Sequence, residues 1–130
     1  MVNVLPKISV IMNCYNGEKY LRESLKSVLT QSYLNWELIF FDNKSNDNSK
    51  KILKKFKDKR FKYFFSSKFL SLYNARNLAI KKSKGDFISF LDVDDIWKKN
   101  KLKIQLMKIN QTKTDFVYSN YNILKNNTLS

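Results

Sequence analysis

The feature that most constrains the fold is the alternation of short, mainly apolar runs with segments of helical periodicity. Four such runs, rich in β-branched and aromatic residues, are predicted as strands at residues 8–12, 36–41, 61–65 and 86–91. Apolar strands that are separated by helices of about 10 to 15 residues are typical of a parallel sheet covered on both faces. The sequence therefore predicts the α/β class, with a three-layer, Rossmann-like, mainly parallel sheet and helices on both of its faces.

Between the strands, apolar residues recur at every third or fourth position, which predicts helices. The first predicted helix ends at Gln31, the second is capped by Asp47 or Asn48, the third spans 71–83 with Gly85 as its C-cap, and the fourth spans 96–109. Residues 115–119 are predicted to start a fifth strand. Because no repeat or linker rich in proline and glycine interrupts this pattern, residues 1–130 are predicted to form a single domain.

The charge balance favours anionic partners but does not choose among them. The chain has 25 Lys and Arg residues against 11 Asp and Glu residues, a formal charge of +14, which suits nucleic acid, phosphorylated ligands or an acidic membrane surface. Nucleic-acid binding is disfavoured because the lysines are spread along the chain and no helix-turn-helix, zinc or RNP-type motif occurs.

Three features of the sequence bear on where the protein works. Cys14 is the single cysteine, so no internal disulfide can form, which fits a reducing compartment. The N-terminus lacks the order of a signal peptide, and no segment approaches the roughly 18 apolar residues of a membrane span. A cytoplasmic protein is expected, with peripheral contact at the inner face of the membrane as a further expectation.

Polar residues gather where the predicted strands end. Residues 13–17 follow the first strand, Asp42 follows the second, and residues 92–95 follow the fourth. In parallel sheets, ligands bind beyond the carboxyl ends of the strands, near the point where the strand order reverses. These three segments are therefore the candidate binding site.

Asp92 and Asp94 could both reach one hard cation if the chain turns after the fourth strand. Magnesium and manganese usually take one or two protein carboxylates together with water and phosphate oxygens, so a diphosphate is the natural third partner. The alternative is that Asp94 and Asp95 cap the helix predicted over 96–109, whose dipole favours acids at its N-terminus. The spacing of the acids alone leaves both interpretations open.

Three segments in a fixed order carry a family resemblance: CYNGEKYLRESLKSVLTQSYLNWELIFFDNKSNDNS, NARN and FISFLDVDD. Together they resemble the nucleotide-binding half of family 2 glycosyltransferases, enzymes of GT-A fold that move a sugar from a nucleotide-diphosphate donor. The resemblance covers about residues 8–121. It implies that the nucleotide-sugar site contains Cys14, Tyr15, Asn16, Asp42, Arg76, Asp92, Val93 and Asp94.

The resemblance also implies individual roles. Tyr15 with its two neighbours would lie against the base, Asp42 would hydrogen-bond the base, and Arg76 would lie near the uracil or the diphosphate. Asp92 would contact the ribose and, together with Asp94, hold Mn²⁺ or Mg²⁺ between the phosphates. For Arg76, a salt bridge to Asp86 or another acid is the structural alternative.

The chain departs from the family pattern at several positions. Where the family usually shows two acids and a glycine, this chain has Asp42-Asn43-Lys44, so a different turn is expected. Ser71 stands where a glycine usually precedes NARN. Inverting enzymes also need an acidic general base for the acceptor hydroxyl, and the single acid after Asp95 is Asp115. The base is therefore expected outside this chain, which looks like a donor-binding half truncated at its C-terminus.

The function expected from the resemblance is that of an inverting glycosyltransferase in surface polysaccharide synthesis. Its donor is expected to be a UDP-sugar, and its acceptor a glycan or a lipid-linked glycan. The alternative is a donor-binding fragment without turnover, because the general base is absent. A sheet without its later strands would expose an edge, so a homo-oligomer is also expected.

Overall fold

The computed structural model describes residues 4–125 and 128–129 and contains a four-stranded parallel sheet with helices on both faces. The strands of this sheet are β1 (Ile8–Cys14), β2 (Trp36–Asp42), β3 (Phe61–Phe65) and β4 (Phe87–Phe90). The helices are α1 (Glu18–Leu29), α2 (Ser49–Lys55), α3 (Leu72–Ile80) and α4 (Lys101–Thr112). A separate antiparallel pair joins β5 (Leu124–Lys125) to β6 (Thr128–Leu129). Within these described ranges, no helix is both long and apolar enough to cross a membrane.

The strand order is β3-β2-β1-β4, and every neighbouring pair is parallel. From β1 the chain steps outward to β2 and β3, and then returns past β1 to add β4 on the other side. Crossovers between parallel strands are right-handed, so this change of direction puts α3 on the opposite face from α1 and α2. The predicted three-layer α/β arrangement is confirmed, and the strand order reverses between β1 and β4.

Two cores, one on each face of the sheet, hold the layers together. On one face, α1, α2 and α4 bury leucines such as Leu25, Leu53 and Leu102 against β1 and β2. On the other face, α3 places Ala75 and Ala79 against Ile11 and other residues of the two central strands. All seven residues of β2 are buried, because this strand has neighbours on both sides and helices above and below it. That position explains why the strand is a continuous apolar run rather than an alternating one.

Glu37 is the charged exception inside β2. Its buried carboxylate accepts hydrogen bonds from Ser9 Oγ (2.7 Å), Lys7 Nζ (3.0 Å) and the backbone N–H of Lys84 (2.7 Å). The three donors come from the start of β1 and from the turn before β4. A single carboxylate therefore ties together the amino-terminal ends of three adjacent strands, since a buried charge is tolerated when its lone pairs are satisfied.

We expect Glu37 to make stability depend on pH. Burial alone would raise the pKa of Glu37, but the hydrogen bonds from Ser9, Lys7 and Lys84 outweigh it and hold the pKa below the ordinary value of 4.5. A lowered pKa in the folded state means that the stabilisation is present above that ordinary value and is lost as the pH falls through the folded-state pKa. In urea unfolding from neutral pH to about pH 3, the wild-type free energy of unfolding should fall more steeply than that of Glu37→Gln.

The matched control for this experiment is Glu23→Gln, which removes an exposed carboxylate that pairs with Lys26 on the surface of α1. This variant should keep the wild-type pH profile, because exposed pairs contribute little to stability. Identical profiles for Glu37→Gln and wild type would show that the buried carboxylate does not drive the acid response.

Two predicted elements differ from the structure. The strand predicted over 115–119 is wrong: this segment is irregular and pairs with no strand in the described part of the chain. Phe116 and Tyr118 are largely exposed, because strand propensity forms no strand without a hydrogen-bonding edge. The helix predicted over 96–109 begins at Lys101 instead, since the carbonyls of Lys98 and Lys99 accept hydrogen bonds from the loop after α1.

Gly85 is not the C-cap of α3. The helix ends at Ile80, and Lys81 is its C-cap in the right-handed conformation. Gly85 lies further along, where its backbone N–H donates to Ser9 Oγ (2.9 Å) beside β1. A side chain at this position would collide with the backbone of β1, so the glycine is explained by a close approach of two chain segments.

Candidate functional site

The loop after β1 forms one side of the candidate site. Asn16 adopts a left-handed backbone conformation with φ of 50°, which asparagine tolerates better than most residues. Its backbone N–H donates to Ser45 Oγ (3.0 Å), and its side-chain Oδ1 accepts from the backbone N–H of Asn46 (2.8 Å). The loops that follow β1 and β2 are therefore bound to each other. On this support Tyr15 stands 53% exposed at the carboxyl edge of the sheet.

Tyr15 has an aromatic neighbour that the sequence did not indicate. The ring of Phe69, in the loop after β3, lies 4.7 Å from the Tyr15 ring between centroids, at an interplanar angle of 64°. Phe69 is 59% exposed. The single available signal was its position shortly after a predicted strand, which does not distinguish a site residue from an ordinary loop residue.

Asp42 ends β2 at the predicted edge, but the residue is only 1% exposed. Its Oδ1 accepts the backbone N–H of Ser45 (2.8 Å), and its Oδ2 accepts the hydroxyl of Tyr63 (3.0 Å). Burial, and then this hydrogen bond to Asp42, raise the pKa of Tyr63 well above its ordinary range. The two contacts hold Asp42 beneath the loop surface, and the base contact assigned to it stays a prediction.

Cys14 lies below the same loop as a buried thiol. Burial raises its pKa, so the thiol is neutral at physiological pH. Its Sγ lies 3.9 Å from Ser45 Oγ. These surroundings make Cys14 a packing residue under the site, and a direct contact with a nucleotide stays a prediction.

The acidic turn after β4 lies beside the β1 loop. The backbone N–H of Asp95 donates to the carbonyl of Asp92 (3.1 Å), which closes the turn. Val93 packs inward, so close to the start of α1 that a methyl group added at Gly17 would lie 3.2 Å from Val93 Cγ2. Asp92 and Asp94 are exposed on the outer side of the turn. The structure thus brings the two predicted segments together where the strand order reverses.

Arg76 reaches this turn from the opposite face of the sheet. Its Nη2 donates to Asp92 Oδ1 (3.2 Å), and its guanidinium carbon lies 5.1 Å from the centroid of the Phe90 ring. Asp86, the other partner considered for Arg76, instead accepts the backbone N–H of Lys7 (2.7 Å). Arg76 therefore does pair with an acid, and that acid is itself a predicted site residue.

Unsatisfied polar atoms lie at the same corner of the sheet. Arg76 Nε and both polar atoms of the Asn13 side chain are buried and have no hydrogen-bond partner within the described ranges. Asn13 is in β1, two residues beyond Ile11, which pairs with Phe90 of β4. Buried polar groups are usually satisfied. A polar ligand beyond the carboxyl ends of the strands could supply the missing partners.

The acids of the turn are not helix caps. Helix α4 begins at Lys101 with Asn100 at the N-cap, so neither Asp94 nor Asp95 lies in its first turn. Burial, and then the negative charges of Asp94 and Asp92, raise the pKa of Asp95 above its ordinary value. The turn therefore concentrates negative charge that no helix N-terminus offsets, and a cation would neutralise it.

The donor set suits a cation that shares its ligands with a second molecule. Among the residues that the structure describes, no group of three or more His, Cys, Asp and Glu residues could hold a metal ion. The turn offers two exposed carboxylates, Asp92 and Asp94. Magnesium and manganese commonly accept one or two carboxylates and complete their coordination with water and phosphate oxygens. The residues present fit such an ion.

The sequence matches the family model described as glycosyl transferase family 2 over residues 9–129. The chain belongs to glycosyltransferase family 2. The resemblance inferred from the three sequence segments is thereby confirmed.

Individual members of family 2 are similar to this chain. It is 41% identical over 122 residues to WfgD of Escherichia coli, a UDP-Glc:alpha-D-GlcNAc-diphosphoundecaprenol beta-1,3-glucosyltransferase, covering 94% of this chain and 48% of the relative. The chain spans about half the length of the curated relatives it matches.

Solved structures confirm the GT-A fold. S. aureus TarS, which has also been solved with UDP and with UDP-GlcNAc, is similar at a TM-score of 0.79 and 32% identity, covering 84% of this chain and 34% of the TarS chain. The mannosyltransferase PcManGT from Pyrobaculum calidifontis, solved with GDP-Man and Mn²⁺, has a TM-score of 0.76 at 19% identity, covering 82% of this chain and 33% of that one. The second likeness concerns the fold alone.

Two departures from the family pattern have structural explanations. Lys44 has a φ of 65°, in the left-handed region that glycine adopts at least cost, so the lysine makes this turn at a conformational cost. Ser71, which stands in place of a glycine, caps α3 by accepting the backbone N–H of Asn74 (3.3 Å). Both substitutions leave the carboxyl edge of the sheet intact.

Proposed function

We propose that this chain forms the donor-binding part of an inverting glycosyltransferase that builds a surface polysaccharide from nucleotide-diphosphate sugars. The observation that carries the proposal is the exposed pair Asp92 and Asp94 beside the Tyr15 loop, at the reversal of strand order. The relatives support it: WfgD is named for a UDP-Glc donor, and TarS binds UDP and UDP-GlcNAc. A UDP-sugar is therefore the proposed donor.

Each residue of the site would contact a different part of that donor. Tyr15 offers an aromatic face to the base, and Arg76 offers a planar fork of donors to the phosphates once it leaves Asp92. Asp94, with Asp92, would bind Mn²⁺ or Mg²⁺. When bound there, the ion supplies Lewis-acid stabilisation of the charge that develops on the departing nucleoside diphosphate. Asp92 would also contact the ribose.

Transfer of the sugar breaks the bond between the anomeric carbon and the diphosphate and forms a bond from that carbon to an acceptor oxygen. The acceptor hydroxyl gives its proton to an acidic general base. The single acid after Asp95 is Asp115, which lies in the irregular segment beyond α4. We place the general base outside this chain, and this same observation favours the second candidate function, donor binding without turnover by the 130 residues alone.

The proposed acceptor is a lipid-linked glycan, because WfgD is named for a diphosphoundecaprenol-linked sugar. A chain with a formal charge of +14 would also be attracted to the anionic surface on which such a lipid lies. Peripheral membrane contact is thus part of the proposal.

The proposed function is tested by thermal unfolding with UDP, GDP and ADP, each with and without Mn²⁺. A ligand at about 100 times its dissociation constant should add about 2.7 kcal/mol to the free energy of unfolding. We expect the largest stabilisation with UDP and Mn²⁺ together, and none with uridine, which lacks the diphosphate. Absence of stabilisation by every diphosphate would overturn the proposal. Hydrolysis of UDP-glucose by the same chain would decide between transferase and donor-binding protein.

A further inference from the structure

A reciprocal pair of hydrogen bonds fixes the loop that follows β3. The side-chain Nδ2 of Asn43 donates to the carbonyl of Leu70 (2.8 Å), and the backbone N–H of Leu70 donates to Asn43 Oδ1 (2.9 Å). Asn43 is 6% exposed, so these contacts occupy an amide that is almost inaccessible to solvent. At the start of the loop, the backbone N–H of Ser66 donates to the carbonyl of Asp42 (2.9 Å). The loop is therefore attached at both ends to the carboxyl end of β2.

The identity of residue 43 is what permits this attachment. An amide side chain carries a donor and an acceptor, whereas an ionised carboxylate can only accept. Both polar atoms of the Asn43 side chain are thus hydrogen-bonded to the loop, so this side chain is poorly placed to bind a ligand.

Phe69 is the residue that the fixed loop presents. It directly precedes Leu70, and its ring meets that of Tyr15 edge to face, as described above. Both rings are more than half exposed. Exposing two large aromatic surfaces next to each other forgoes the free energy of burying them, and a flat ligand that covers them would recover it.

We infer that Phe69 is a second base-contacting residue and that Asn43 is the residue that positions it. The inference rests on the proposed function, since it deepens the nucleotide site around Tyr15. Because the two rings lie at 64° to each other, a nucleobase that stacks on one ring meets the other ring at an angle. Both contacts depend on the aromatic surface of the base rather than on its hydrogen-bonding edge. The aromatic pair therefore contributes affinity for nucleoside diphosphates while discriminating weakly between bases.

The test is calorimetric titration of UDP and of GDP, with Mn²⁺ present, into the full chain and its variants. Phe69→Ala should weaken both dissociation constants by a similar factor, roughly tenfold, as expected for the loss of one stacked ring. Phe69→Tyr keeps the ring and should keep wild-type affinity. Phe116→Ala removes a ring that is 75% exposed in the segment after α4 and should change neither constant.

The positioning role of Asn43 has its own readout. Asn43→Asp removes the donor to Leu70, so it should weaken nucleotide binding through misplacement of Phe69. In a double-mutant cycle, Asn43→Asp with Phe69→Ala should bind no more weakly than Phe69→Ala alone, because both changes remove the same contact. Losses that simply add would show that Asn43 acts independently of Phe69 and would overturn its assignment.

The outcomes separate this inference from the proposal on which it rests. If the wild-type chain binds neither UDP nor GDP, the proposed function fails and the inference fails with it. If the wild type binds and Phe69→Ala binds within twofold of it, Phe69 does not contact the base and only the inference is overturned. If Phe69→Ala loses affinity for only one of the two nucleotides, Phe69 recognises the edge of that base, and the assignment of an unspecific aromatic contact is overturned.

Discussion

Asp94→Ala should remove the manganese-dependent part of the stabilisation by UDP. In the wild type, UDP with Mn²⁺ at about 100 times the dissociation constant should raise the free energy of unfolding by about 2.7 kcal/mol. Asp94 is one of the two exposed carboxylates of the turn, and the other, Asp92, already shares its charge with Arg76. In Asp94→Ala the cation could be held only by Asp92, which would first have to leave Arg76, so the loss of Asp94 should remove most of the metal-dependent binding of UDP.

The measurement is thermal unfolding of both proteins with UDP, in the presence of Mn²⁺ and of a chelator. Without ligand, the variant should unfold at or slightly above the wild-type temperature, because the negative charge of Asp94 acts unfavourably on Asp95. Asp115→Ala, which removes an exposed acid outside the turn, is the control and should keep the wild-type response. Equal manganese-dependent stabilisation in Asp94→Ala would remove Asp94 from the site.

Gly85→Ala should destabilise the fold by about 3 kcal/mol, the upper part of the usual range for overpacking. The added Cβ would lie 2.6 Å from the backbone nitrogen of Ser9 and 2.8 Å from the carbonyl oxygen of Lys7. Ser9 lies in β1 and Lys7 immediately precedes this strand, which is hydrogen-bonded to β2 on one side and to β4 on the other. Neither can move without disturbing the sheet or the contacts of the buried Glu37.

Urea unfolding at neutral pH measures this effect directly. The neighbouring Lys84→Ala is the control, because the Lys84 side chain is exposed and its backbone N–H can still donate to Glu37. The control should lie within about 0.5 kcal/mol of the wild type, as is usual for surface changes. A Gly85→Ala protein as stable as the control would mean that the turn relaxes away from β1 without cost.

The sheet could be predicted from the sequence because the burial of its strands is reflected in their apolar composition. A strand such as β2, buried on both faces, is apolar at five of its seven positions and is recognised without knowledge of its partners. The segment 115–119 also contains aromatic and β-branched residues but forms no strand, because a strand requires an edge to pair with as well. The start of α4 was misplaced for a related reason, since the contacts with the loop after α1 connect distant parts of the sequence.

The candidate site was predicted in part for the same reasons. The carboxyl ends of parallel strands necessarily meet at one edge, so the proximity of the Tyr15 loop and the acidic turn followed from topology. The partner of Arg76, the contact of Phe69 with Tyr15 and the bonds between Asn43 and Leu70 did not follow from it. Each joins residues far apart in sequence through side-chain geometry, which no local pattern encodes.

The ion pair between Arg76 and Asp92 has a consequence for how ligands enter. Each of these side chains already supplies the counter-charge of the other. A phosphate that binds the Arg76 guanidinium would therefore leave the Asp92 carboxylate without a counter-charge. A cation that binds the carboxylate would likewise leave the arginine without one. A metal and a diphosphate arriving as one complex satisfy both at once. The two ligands should therefore strengthen each other's binding by the same factor, as linkage requires, with a modest magnitude because the pair is partly open to water.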